Sequence, residues 1–185
     1  MVPLIIVIAV IIVVFWIVGI YNSLVRQRKQ VDNGWSQIDV QLKRRHDLIP
    51  NLVETVKGYA KHERELLENV TAARAHAIDT RSAGGIEQLN AETALTGALR
   101  SLMVAVEAYP DLKANQNYLA LQEELTSTEN KIGFARQHFN DVATNYNTAI
   151  EVFPNNFLAG MFNFQARELW QITDAVERET PVVKF

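Results

Sequence analysis

The side chains of this sequence that could carry acid–base, nucleophilic or metal chemistry are few, and their spacing does not suit those tasks. His62-Glu63-Arg64-Glu65-Leu66 opens like a zinc-protease helix, in which two histidines one turn apart hold the metal, but Leu66 stands where the second histidine belongs. A carboxylate-bridged di-iron bundle needs Glu three residues before a ligand His. The residues three before His46, His62, His76 and His138 are Lys43, Tyr59, Ala73 and Ala135. Cysteine is absent, which removes disulfides, thiolate zinc, iron–sulfur clusters and lipoprotein acylation. Gly84-Gly85 lacks the Lys and Ser/Thr that complete a phosphate loop, and no strand-turn-helix elbow presents a serine. His46-Asp47 reads as a solvated helix face. The expectation is a protein without catalytic activity, cofactor or metal.

Charge gives more direction. The net charge is −3 and the pI about 5.8, which argues against nucleic acid as a partner, since phosphate neutralisation needs a basic surface. With 48% hydrophobic and 21% charged residues the chain is not disordered overall. The charges are unevenly placed: Lys and Arg outnumber Asp and Glu between Asn22 and Arg64, whereas acids dominate from Glu65 onward. Arg26, Arg28 and Lys29 form one basic cluster and Lys43, Arg44 and Arg45 a second. A basic root suits a body standing on an anionic leaflet, where each near-surface cation contributes about 1 kcal/mol.

The elements that would place these groups begin with Met1 to Ile20, which has no charged side chain (MVPLIIVIAVIIVVFWIVGI). About 20 such residues cross a ~30 Å hydrocarbon core as a helix, and length overrides the β-propensity of Val and Ile because a lone strand cannot satisfy its backbone in lipid. Trp16 and Tyr21 sit toward the end of the span, as interfacial aromatics do. A cleavable signal peptide would need a basic n-region, a shorter apolar core and a small-x-small site, and none is present: Gly19 is followed by Ile20, Tyr21, Asn22, Ser23 and Leu24. The cations that follow the span predict a short N-terminus outside and a cytoplasmic body.

Beyond the span, apolar residues recur at alternating steps of four and three: Val31, Trp35, Ile38, Leu42, then Ile49, Leu52, Val56, Tyr59, then Leu66, Val70, Ala73 and Ala77. Arg45 and Glu63 interrupt this stripe. They could lock a register or meet a partner, but the preferred reading is that the arm emerges from its partners there and the stripe is uncovered. Pro50 falls within the pattern without a change of phase, predicting a kink in one helix that continues to about Thr80. Asp79 to Gly85 is a loop. A second helix is predicted from about Ile86 to Ala108, and a third from about Ala114 to Val152 along Tyr118, Leu121, Leu125, Thr128, Ile132, Ala135, Phe139, Val142 and Tyr146. The aromatic tail after Phe153-Pro154 either folds back over the bundle or meets the bilayer or a partner. The fold class is all-α: a transmembrane helix (1–21) continuing into a long antiparallel bundle of three long helices and a short C-terminal helix (22–163), then a tail (164–185). The helices pack up-down-up, or the second and third descend jointly along the first. Either leaves seams uncovered and favours self-association.

These stretches resemble the LemA family of bacterial membrane proteins: Tyr21 to Val25 (YNSLV), Trp35 to Glu63 (WSQIDVQLKRRHDLIPNLVETVKGYAKHE), Tyr109 to Ile132 and Ala135 to Asn147. The resemblance implies an N-terminally anchored helical bundle of the inner (plasma) membrane, without an agreed biochemical activity. It extends to a magnetosome membrane protein associated with membrane shaping. It also draws attention to Trp35, Pro50, Asn51, Asn115 and Asn117, polar or special residues that a plain stalk would not need. Opposed in an antiparallel pair, these two stretches would form a hydrogen-bonded joint. The function expected is a membrane-anchored scaffold in contact with the bilayer that self-associates as a homo-oligomer. The alternative is an adaptor for one envelope protein, such as a protease or signalling component.

Overall fold

The computed structural model describes residues 2–60, 62–82 and 85–170, and among them there are helices and no strand. The elements are α1 (Val2–Tyr59), α2 (Arg64–Asp79), a 3-10 turn (Thr80–Ser82), α3 (Gly85–Val106), α4 (Pro110–Lys113), α5 (Gln116–Glu151) and α6 (Asn155–Met161). They belong to two compact units. One comprises Met1–Ile38 with Phe134–Leu169, and the other is built on Asp39–Gly133.

The expected helix through Pro50 is present, but it stops at Tyr59 instead of running to Thr80. The chain reverses between α1 and α2, with Glu63 N–H donating to the Ala60 carbonyl at 3.2 Å and Leu67 N–H to the Glu63 carbonyl at 3.1 Å. An interruption of about one turn preserves a four–three repeat, so periodicity alone could not reveal the reversal. Burial favours it: folding α2 back covers Leu67, Val70 and Ala77, which a straight arm would leave on one open stripe.

In the unit built on Asp39–Gly133, side-chain contacts fix the helix directions. Arg74 reaches His46 and Arg81 reaches Asp39, so α2 runs antiparallel to α1. Arg45 meets Glu92, and Glu63 meets Tyr109, so α3 runs parallel to α1. Tyr59 meets Asn115 and Arg44 meets Glu124, which makes α5 antiparallel. The result is an up-down-up-down four-helix bundle, replacing both packings expected for three helices. Its core contains Ile49, Leu52, Val56, Val70, Leu95, Leu102, Leu112 and Tyr118. Local chemistry sets the joints. Pro110 begins α4, where its missing N–H is harmless. Asn115 caps α5, its Oδ1 accepting the Tyr118 N–H at 3.0 Å.

In the other unit α1 packs antiparallel to α5. Gly34 permits the close approach: a Cβ there would lie 3.3 Å from the Phe139 Cα. Trp35 meets the Phe139 ring edge-on at 5.4 Å, and Leu24, Val31, Ile38, Ala143 and Tyr146 are buried. From Pro3 to Trp16 every residue of α1 is exposed. The tail folds back here. Just beyond α6, Asn163 takes the left-handed region (φ 54°), with Phe164 N–H returning to the Ala159 carbonyl at 2.9 Å and Asn163 N–H to the Gly160 carbonyl at 3.4 Å. Asn147 then clamps the Arg167 backbone, donating to its carbonyl and accepting its N–H, each at 2.8 Å. The terminal PVVKF lies outside the described residues.

Candidate functional site

The densest polar constellation is a charged layer inside the four-helix bundle. Arg45, one of the two residues that interrupt the apolar stripe, is 2% exposed, contrary to the expectation that the stripe is uncovered there. Its guanidinium is clasped by carboxylates from two helices: Nη2 pairs with Glu92 of α3, and Nη1 lies 2.7 Å from Glu129 Oε2 of α5 and donates to Thr96 Oγ1 at 2.9 Å. His46 Nε2 stands 3.0 Å from Glu92 Oε1, off the line of a hydrogen bond. Gln41 Oε1 and Gln88 Oε1, one turn before Arg45 and Glu92, are buried with no hydrogen-bond partner among the described residues, as is Thr128 Oγ1 beside Glu129. A layer of this kind costs desolvation that an apolar layer would not. It matches one cation of α1 to a carboxylate from each of α3 and α5, and so joins three helices at one level. Glu63, the other interruption, is half-buried at the α1–α2 reversal and accepts the Tyr109 hydroxyl at 2.9 Å. That hydrogen bond, with burial second, raises the Tyr109 phenol above its ordinary value.

Pro50 creates a second joint. Having no N–H, it leaves the His46 carbonyl without its helical partner. Arg74 Nε of α2 donates to that carbonyl at 2.7 Å, so a defect in one helix becomes a binding point for the next. Arg81 adds a two-pronged grip on Asp39, through Nε to Oδ1 at 2.6 Å and Nη2 to Oδ2 at 2.5 Å, and this raises its pKa further.

Of the residues singled out in the sequence, Arg45 and Pro50 lie in this bundle. Asn115 adds to its capping bond a contact from Nδ2 to the Tyr59 hydroxyl at 2.9 Å. Asn51 and Asn117 are exposed, and the inter-helix polar contacts centre on Arg45 rather than on Asn51. Trp35 is half-buried against Phe139. Trp16 is exposed on the apolar segment, and Tyr21 meets Phe162 and Phe164. Arg28 lies over the Phe164 ring at 5.0 Å, Lys29 lies 3.6 Å from Asp32, and Arg26 is exposed. Sequence reasoning missed Glu92, Glu129 and Arg74. The available signals were an acid beside the apolar face of the second predicted helix, and a proline whose orphaned carbonyl needs a donor. Among the described residues no group of three or more His, Asp or Glu could hold a metal ion.

A helical chain whose first helix begins with a long uncovered apolar segment, and which buries an Arg–carboxylate layer between helices, defines an all-α, membrane-associated class of protein. The LemA family model matches residues 34–185, and the chain belongs to the LemA family. It is 30% identical to Protein LemA of Metamycoplasma hominis over 85% of this chain and 74% of that protein. It is also similar to Magnetosome protein MamQ of Magnetospirillum gryphiswaldense and Magnetosome protein MamQ 2 of Paramagnetospirillum magneticum, at 27% and 26% identity. Both alignments cover 88% of this chain and 68% of the relative. None of these names is that of an enzyme.

Proposed function

We propose that this chain is a non-catalytic scaffold anchored in the bacterial inner (plasma) membrane, self-associating, with its short N-terminus outside and its helical body in the cytoplasm. The carrying observation is that α1 holds on one unbroken helix both the uncovered apolar segment and the residues that begin each packed core, Leu24 and Leu42 among them. The charged groups gathered in the bundle are paired with one another, which suits a structural role. Exposed Val40 and Phe134 offer apolar surface to further copies, and the magnetosome relatives support a role at membranes.

One observation favours the adaptor reading: a groove between α1 and α2 lined by Val53, Ala60, Leu67, Thr71, Ala72 and Ala75 together with the charged Lys57, Arg64 and Glu68, a shape that takes an amphipathic partner helix. Crosslinking in intact membranes discriminates the two. The scaffold gives self-crosslinks through single cysteines at Val40 or Phe134. One foreign band of fixed stoichiometry, without self-crosslinks, would replace the scaffold by the adaptor.

A further inference from the structure

Between Glu151 and Arg167 the sequence VFPNNFLAGMFNFQA carries no charged side chain. It folds as the turn after α5, α6 and the start of the returning tail. Leu158 and Ala159 turn inward and are buried, while the opposite side is bare: Phe153 is 86% exposed, Phe157 75% and Met161 63%. Surface of this kind, contiguous and aromatic, marks a contact.

Its height identifies the occupant. Gly34 of α1 packs on Phe139 of α5, and the two helices run antiparallel. Thirteen residues separate Gly34 from Tyr21, and the same number separate Phe139 from Val152, so both points lie about 20 Å along the pair at 1.5 Å per residue. Tyr21, at the end of the apolar segment, accordingly meets Phe162 at 4.9 Å and Phe164 at 5.8 Å between ring centroids. Ile17 and Ile20 are half-buried, whereas residues 3–16 are wholly exposed. The turn after α5 and the segment that carries the bare aromatics therefore stand level with the last turn of the apolar segment. Arg26, Arg28 and Lys29 follow within about two turns, and Arg167 joins them on that side, 3.0 Å from Asp32. Lipid tails on one side and headgroup cations on the other define the bilayer interface.

We infer that α6 and its flanking turn form a second membrane contact, an uncharged aromatic wedge lodged in the interfacial layer of the leaflet from which α1 emerges. The occupant is phospholipid. A segment of this type seats its apolar face roughly 5–10 Å into the headgroup–acyl boundary. With two contacts, the helix pair is held at a defined tilt, which one helix alone cannot fix. The inference rests on α1 spanning the bilayer, and the test separates the two claims.

The chain has no cysteine, so an environment-sensitive fluorophore can be placed singly at Phe157→Cys, Val10→Cys or Ser101→Cys in the full-length protein. All three positions are exposed. Each variant is reconstituted in phosphatidylcholine–phosphatidylglycerol vesicles carrying doxyl quenchers either near the headgroup or near the chain end. The wedge predicts that the Phe157 probe emits to the blue and loses most of its intensity to the shallow quencher. The Val10 probe should lose intensity to the deep quencher, and the Ser101 probe only to aqueous iodide. A Phe157 probe quenched by iodide and not by lipid, with Val10 still quenched by lipid, overturns the wedge and leaves the anchor. A Phe157 probe shielded from both quenchers means a second copy covers the patch, and it overturns the wedge too. A Val10 probe untouched by lipid overturns the anchor itself.

Discussion

Arg45 concentrates the energetics of the bundle in one side chain. Removing one partner of a buried pair strands the other charge, at a cost of about 3–5 kcal/mol. Arg45→Met should therefore lower stability by that amount in urea denaturation followed by circular dichroism. Replacing both Arg45 and Glu92 by Met should recover most of the loss while weakening the pairing specificity; a single variant indistinguishable from wild type would show that the layer does not lock the fold. Pro50 and Arg74 form a second test. Arg74→Met leaves the His46 carbonyl unsatisfied and should cost about 1–3 kcal/mol. In a Pro50→Ala background the helix supplies its own donor, so the same substitution should cost much less, and a double-mutant cycle with no coupling would refute the joint. Of these residues, Arg45 and Pro50 were visible in the sequence because each violates a local pattern. Glu92, Glu129 and Arg74 were not, since an acid or arginine on a helix is ordinary until the fold shows what lies opposite.

Helix existence follows from periodicity, and helix direction does not. The stripe from Val31 to Ala77 keeps its phase across both Pro50 and the reversal between α1 and α2, yet the helix continues through the first and ends at the second. The difference lies in tertiary burial: α2 completes a four-helix core only when folded back. Gly34 shows what the α1–α5 pairing requires. Leu is a better helix former than Gly, but its side chain must enter the space held by the Phe139 backbone and Val142. Gly34→Leu should thus destabilise by about 1–3 kcal/mol, read as a lower midpoint in thermal unfolding; an unchanged or raised midpoint would show the approach to be loose. The tyrosines set the alkaline limit. Beside Glu63 the Tyr109 phenol is raised above 10.0, and burial raises Tyr118 and Tyr146. A raised folded pKa stabilises the native state fully below the unfolded value and loses that contribution as pH rises through the folded one. Stability should consequently fall above about pH 10, in step with delayed phenolate absorbance, and Tyr109→Phe should flatten part of that fall. Ionisation of all tyrosines at the ordinary value would contradict it.

The first helix is bare and apolar at one end and core-forming at the other, a division that fits a membrane location for its N-terminal part. The composition already carried that division: an uncharged N-terminal segment, a basic stretch, then an acidic remainder. What composition could not carry was the tail, where apolar residues after Phe153 read equally as core or contact until Leu158 and Ala159 were seen inward and Phe157 outward. Anchoring is the proposition on which the scaffold reading depends. Membranes containing the full-length chain, stripped with alkaline carbonate and sedimented, should retain it in the pellet, and deletion of Met1–Gly19 should release the greater part. Full-length protein recovered in the supernatant would contradict an integral anchor.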